Sequence, residues 1–214
     1  NIKYRTLREA IEAVKTDETI LMIGDTTENN TVPEDKKFTL DLGEQTITGM
    51  FINNGNITIT GNGTIYMETL LKADSDLATD EYNEVLINNY GILTVNSGNY
   101  KVEKRGGTII QNHETMTMNS GNIERNGDGW GIDNLKTFYF NGGTISLNAV
   151  GFGNALYNTS GTIEMTGGTI NSKSYGLVID GGEAIAYGGK INITDSAGNC
   201  GVLVRNNGKG TFIN

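Results

Sequence analysis

Residues 134–147 read NLKTFYFNGGTISL, and residues 158–171 read NTSGTIEMTGGTIN. Each stretch opens on an asparagine (Asn134, Asn158), runs through an alternating apolar pair (Phe138/Phe140, Ile163/Met165), and reaches a glycine three residues later (Gly143, Gly168). Leu93/Val95, Met116/Met118 and Ala184/Ala186 stand in the same relation to Gly98, Gly121 and Gly189. The five glycines recur at spacings of 23, 22, 25 and 21 residues. A second series, Asn89, Asn112, Asn134, Asn158, Asp180 and Asn206, runs in step with them. Periods of this size with period-2 hydrophobicity inside them describe short strands wound into stacked coils, an all-β parallel solenoid.

Two residues before the asparagine series stand Ile87, Ile110, Ile132, Leu156, Val178 and Val204, which alternation points inward. One before it stand Asn88, Gln111, Asp133, Tyr157, Ile179 and Arg205, which point outward. The series itself then points inward at a turn, where stacked amides satisfy one another from coil to coil. The alternative is asparagine in left-handed turns with exposed side chains. Three before the series, Leu86, Ile109, Gly131, Ala155, Leu177 and Leu203 are mostly apolar where alternation predicts an outward position. Either something covers this stripe or a pleat irregularity turns it in.

Residues 4–15 carry Leu7, Ala10, Ile11 and Val14 at helical spacing, with Thr6 and Glu9 as a capping box. Such a helix would cover the open end of the stack. The expected organisation is one domain over 1–214: capping helix and first strand (1–24, with Ile20–Ile23 as the strand), first coils (25–66), an acidic insertion loop (67–84), and regular coils (85–214). The chain begins without Met and stops before the glycine that should close its last coil, so it reads as a piece of something longer, with further coils or domains of the same polypeptide beyond it.

The formal net charge of −9 is held in the first third: residues 1–84 carry seven basic and sixteen acidic residues, and residues 85–214 nine of each. That distribution gives no electrostatic footprint for nucleic acid. No run of about 18 apolar residues exists, which argues against membrane insertion. The single cysteine, Cys200, permits no internal disulfide and reads as a small buried thiol.

The repeated Gly-Thr-Ile at 107–109, 143–145 and 168–170, with its asparagine series, resembles the right-handed parallel β-helices of the pectate-lyase-like group. The strings Thr6–Ala13, Thr19–Ile23, Phe38–Gly43 and Thr46–Gly49 look like the opening coils of secreted β-helix domains on bacterial cell surfaces. The resemblance implies a right-handed coil with an N-terminal capping helix and a secreted or cell-surface location. β-Helices host many functions, so it implies little about activity.

Enzymes resembling this fold use clustered carboxylates that bind Ca²⁺ or act as acid and base, with Arg or Lys as proton acceptor in lyases. Candidates here are Asp133, Asp128, Arg125 and His113. Gly129–Asn134 departs from the Trp-Ile-Asp-His string of pectate lyases by an extra Gly and by Asn in place of His, and the match reads as chance. His113 reads as an exposed turn residue. Asp74, Asp76, Asp80 and Glu81 could collect Ca²⁺, but they lack the glycine turn of an EF-hand loop and read as a solvated acidic loop; no cofactor is otherwise expected. Trp130 reads as core filling. If it stands exposed beside Tyr157 and Asp133, the pair becomes a sugar-stacking platform and carbohydrate binding the better reading.

The expected function is a non-catalytic cell-surface module, a rigid spacer or adhesin whose partners are carbohydrate or a host surface protein. Two alternatives stand beside it. A polysaccharide lyase or hydrolase requires converging carboxylates, and a phage-like fibre domain requires the apolar stripe Leu86/Ile109/Leu177/Leu203 to pack against another chain.

Overall fold

The computed structural model describes residues 2–67, 85–103, 106–149, 153–195 and 200–213. The chain is an all-β parallel solenoid of about 7 turns with one short N-terminal helix. Successive strands fall in turn into three sheets, and each strand between the ends of its sheet pairs in parallel with its equivalents in the coils before and after. At about 4.8 Å per coil, 7 turns make a rod about 34 Å long.

The nine-stranded sheet 1 runs from Glu18–Leu21 to Lys209–Phe212. Its inward rungs are the alternating pairs of the repeat. Phe38, Ile57, Leu93, Met116, Phe138, Ile163 and Ala184 form one row, and Leu40, Ile59, Val95, Met118, Phe140, Met165 and Ala186 the other. The glycine after each pair turns the chain from sheet 1 into the eight-stranded sheet 2. Gly143, with φ +91, shows why glycine is needed: a Cβ there would sit 2.7 Å from the Gly121 carbonyl of the preceding coil. Sheet 2 adds the row Ile47, Ile65, Tyr100, Ile123, Ile145, Ile170 and Ile191. Its second row reads Met67, Val102, Arg125, Leu147, Ser172 and Ile193, so an arginine stands among apolar neighbours.

Sheet 3 holds eight strands: Asn30–Val32, Phe51–Asn53, Val85–Asn89, Thr108–Asn112, Gly129–Asn134, Gly153–Asn158, Tyr175–Ile179 and Val202–Val204. The apolar stripe resolves into a pleat irregularity. Thr108 pairs with Val85 and Trp130, and Ile110 with Ile87 and Ile132, while Ile109, Leu86 and Gly131 are skipped. Two consecutive residues therefore turn inward in each of these three coils, whereas the earlier strands Asn30–Val32 and Phe51–Asn53 alternate normally. Leu86 and Ile109 lie buried in their own core rather than offering a face to another chain; Leu177 is buried too but pairs with Leu156 in the regular inward row, and Leu203 is half-buried and pairs with Val178.

Helix α1 spans Leu7–Ala13, shorter than residues 4–15, and buries Leu7, Ala10 and Ile11 against the first coils. Thr6 Oγ1 accepts from the Glu9 amide at 3.1 Å. Glu9 reaches back to the Arg5 amide at 3.0 Å rather than to Thr6, one residue off an ideal capping box. Val14 leaves the helix in extended conformation because the chain must enter the first strand, Glu18–Leu21, two residues earlier than expected. Met67 ends a strand and is buried beside Val102, so it belongs to a coil; the rest of the expected insertion, 68–84, lies outside the described residues. The candidate calcium residues Asp74, Asp76, Asp80 and Glu81 lie outside the described residues. Cys200 is half-buried rather than fully buried. Among the described residues no helix is long and apolar enough to cross a membrane.

Candidate binding face on sheet 3

The asparagines that end five of the eight sheet 3 strands form the interior edge of this face. Asn53 Nδ2 donates to Asn89 Oδ1 at 2.7 Å, Asn89 to Asn112 at 2.7 Å, Asn112 to Asn134 at 2.8 Å, and Asn134 to Asn158 at 2.8 Å. Each remaining donor reaches a backbone carbonyl, such as Thr137 O for Asn112. All five amides are buried, which is tolerable because they are satisfied. Asn53 extends the ladder one coil earlier than the repeat suggested, because the segment between residues 53 and 89 hides the periodicity.

Asp180 and Asn206 do not belong to the ladder. The rung partner of Asn158 is Ile179, and that of Ile179 is Val204. The regular row of Leu156 accordingly continues through Leu177 to Val202, and Val178, though buried, takes the row of Tyr157. The coil after Asn158 is one residue shorter than the series implied. Asp180 instead accepts from the Tyr157 hydroxyl, from Arg205 Nε at 2.7 Å and from the Asn206 amide, all on the outside. Asn206 adopts φ +53, so the left-handed alternative applies to it alone in the series.

Outside the ladder lies an aromatic and polar strip. Trp130 is 36% exposed and stacks on Tyr157 with ring centroids 5.2 Å apart and planes 9° from parallel. The expectation of core filling fails. Trp130 shares its row with Thr108 and Asn154, across the pleat irregularity from the buried Gly131–Ile132 pair; Thr108 is buried, so the exposure belongs to Trp130 and not to the whole row. Its Nε1 lies 3.0 Å from the Asn154 side chain, whose amide, turned to accept, receives the indole proton. Tyr157 is mostly buried, because the Arg205 guanidinium lies 5.8 Å from its centroid as Trp130 stacks on it. Burial raises the Tyr157 pKa, and the Asp180 carboxylate holds its own pKa down by accepting the phenol proton and the Arg205 and Asn206 bonds.

A second stacked pair flanks the ladder where the chain leaves the strands. Tyr90 and His113 follow Asn89 and Asn112, with centroids 4.3 Å apart and planes 15° from parallel. His113 is half-buried rather than exposed, and burial lowers its pKa against the opposing pull of Asp133. Its Nε2 lies 3.0 Å from Gln111 Oε1; Gln111 Nε2 donates to Asp133 Oδ2 at 3.1 Å; Thr159 Oγ1 donates to Asp133 Oδ1 at 2.6 Å. Asp133 is only 3% exposed and both its oxygens are engaged, so it organises Gln111 and Thr159 and does not face solvent as an acid or base would.

Arg125 lies apart from these groups, fully buried inside the coil. Its Nε and Nη2 donate to the Asp128 carbonyl at 3.2 and 2.7 Å, and Nη2 also to the Gly106 carbonyl, while Nη1 has no partner among the described residues. Burial pulls its pKa down to about 10, leaving it charged at neutral pH. The guanidinium braces the turn that leads into Trp130. A Cβ on Gly129, where φ is +130, would meet it at 2.8 Å. The four catalytic candidates are thus divided: His113 and Asp133 join through Gln111 on the outer face, and Arg125 braces the turn of Asp128 from within. Among the described residues, no group of three or more His, Cys, Asp and Glu side chains could hold a metal ion.

Tyr90 joins the candidate residues only in the structure, through its stack on His113. The signal was available, since it stands one residue after a ladder asparagine, as His113 does. No family model, curated protein or solved structure matches the chain.

Proposed function

We propose that this chain is a non-catalytic carbohydrate-binding module, a right-handed β-helix of a bacterial secreted or cell-surface protein that holds its binding face on a rigid rod. The observation that carries the reading is Trp130, an exposed indole braced flat against Tyr157. A sugar ring presents an apolar C–H face and a rim of hydroxyls, which suits an aromatic ring bordered by polar side chains. Asn154 and Arg205 supply that border. Stacking and bonding beneath the surface fix the ring before any ligand arrives, which lowers the ordering cost of binding. The stacked coils give stiffness and spacing suited to adhesion at a surface.

A panel of immobilised glycans probed with the intact chain and with Trp130→Ala tests this. The expected result is capture of at least one glycan class, weakened about tenfold or more by the substitution, with an unchanged melting temperature. Capture that Trp130→Ala leaves intact, or no capture at all, overturns it. Cleavage of a captured polysaccharide would replace the module with an enzyme.

A further inference from the structure

We infer that the face takes an extended oligosaccharide across the coils, from the Trp130–Tyr157 pair to the Tyr90–His113 pair, rather than a single terminal sugar. The inference rests on the carbohydrate reading and adds a ligand class and a second contact point to it.

Tyr90 is 48% exposed and is held by its stack on His113, so it is a second fixed aromatic surface on the same side of the rod. The backbone places the two pairs in relation to one another. The His113 amide donates to the Asn89 carbonyl, and the Leu135 amide to the Asn112 carbonyl, which puts Tyr90, His113 and Leu135 in one column just beyond the ladder. Tyr157 stands one residue before the ladder and two coils on from His113. Two coils of about 4.8 Å and two strand residues of about 3.3 Å separate Tyr157 from His113 by roughly 12 Å. That span exceeds one sugar ring and suits a short linear chain lying oblique to the rod axis.

The ground between the pairs is polar and held in place. His113, Gln111, Asp133 and Thr159 form one continuous hydrogen-bonded line. Gln111 is fixed at both ends of its amide and remains half-exposed, the character expected of a group meeting hydroxyls midway along a chain. Asp133 is too buried to touch a ligand and serves as a positioning residue for Gln111 and Thr159. Two aromatic platforms joined by a rigid polar line recognise a chain by its length as well as by its rings.

The test measures affinity by calorimetry for three series of one to six units: β-1,4-linked glucose, β-1,4-linked N-acetylglucosamine and α-1,4-linked galacturonate. In at least one series, affinity should rise about tenfold or more between the disaccharide and the tetrasaccharide. Tyr90→Ala should remove that gain while leaving the disaccharide bound, and Trp130→Ala should weaken every length. Binding that needs Trp130 but ignores chain length or Tyr90 overturns the extended site and leaves the carbohydrate reading standing. Failure of all three series to bind, or binding indifferent to Trp130, overturns the extended site and counts against the carbohydrate reading as well. Tyr90→Phe keeps the ring and should restore the length dependence, which separates loss of the platform from local disturbance of the turn.

Discussion

Asn158 and Ile179 are rung partners in sheet 3, and the buried amide ladder ends between them. Up to Asn158 each side-chain amide donates to the next; at Asn158 the donor turns to the carbonyls of Gly161, Gly181 and Glu183 instead. The ladder is therefore a closed set of five amides with backbone partners at its last rung.

Its middle member should be costly to remove. Asn112 accepts from Asn89 and donates to Asn134, Thr137 O and Glu114 O. Asn112→Leu would leave several of these buried groups unsatisfied, at about 1–3 kcal/mol each, so a total loss on the order of 2–4 kcal/mol is expected in urea unfolding. Asn119→Ala is the comparison. Asn119 belongs to a parallel but exposed line, between Asn96 and Asn141, where water replaces the lost bonds, and the change should stay under about 1 kcal/mol. Equal losses at the two positions would refute the distinction.

Arg125→Met should affect the neighbouring turn more than global stability. The substitution removes a buried cation that bonds no carboxylate among the described residues, and its row partners Val102 and Leu147 are apolar. It also releases the Asp128 and Gly106 carbonyls that shape the approach to Trp130. The expected outcome is a melting temperature near that of the parent with a changed near-ultraviolet circular dichroism signal. An unchanged aromatic signal would show that the turn holds its shape without the guanidinium.

Trp130 is the sole tryptophan, so its fluorescence reports one site. Its partial exposure predicts quenching by acrylamide. Tyr157→Ala should increase that quenching by removing the ring beneath the indole. An emission insensitive to acrylamide would place Trp130 in the core after all.

His113 gives the face a pH dependence of definite sign. Its folded pKa lies below the ordinary value of 6.5, chiefly because burial disfavours the charged ring. Between the two values the unfolded chain binds the extra proton, so stability is complete above pH 6.5 and falls as the pH drops through the lowered folded value. Asp180, also lowered, acts in a separate window: its contribution is present above 3.8 and is lost at more acid pH. Proton NMR titration of His113 should give a midpoint below 6.5, and His113→Asn should remove the upper step in stability while keeping the lower one. A midpoint above 6.5 would contradict the burial.

The amino-acid sequence by itself determined the coil, the inward pairs of sheet 1, the inward row of sheet 3 from Ile87 to Leu156, the glycine turns, and the ladder from Asn89 to Asn158. These follow from local rules: alternation fixes which side chains point inward, and a position that needs positive φ favours glycine in every coil. The end of the ladder and the character of Trp130 were decided by tertiary structure. One residue fewer between Asn158 and Ile179 moved Asp180 outside the coil, and a spacing within a repeat cannot say which rung a residue joins until the neighbouring strand fixes the register. Trp130 lies next to two consecutive inward residues, Gly131 and Ile132, where alternation fails and the backbone bend decides which way the indole points. Its partner Tyr157 is 27 residues away in sequence and stacks on it because parallel pairing lays one coil directly over the last. Side-chain periodicity is a property of one strand; contact between coils depends on register, and only the assembled solenoid supplies it.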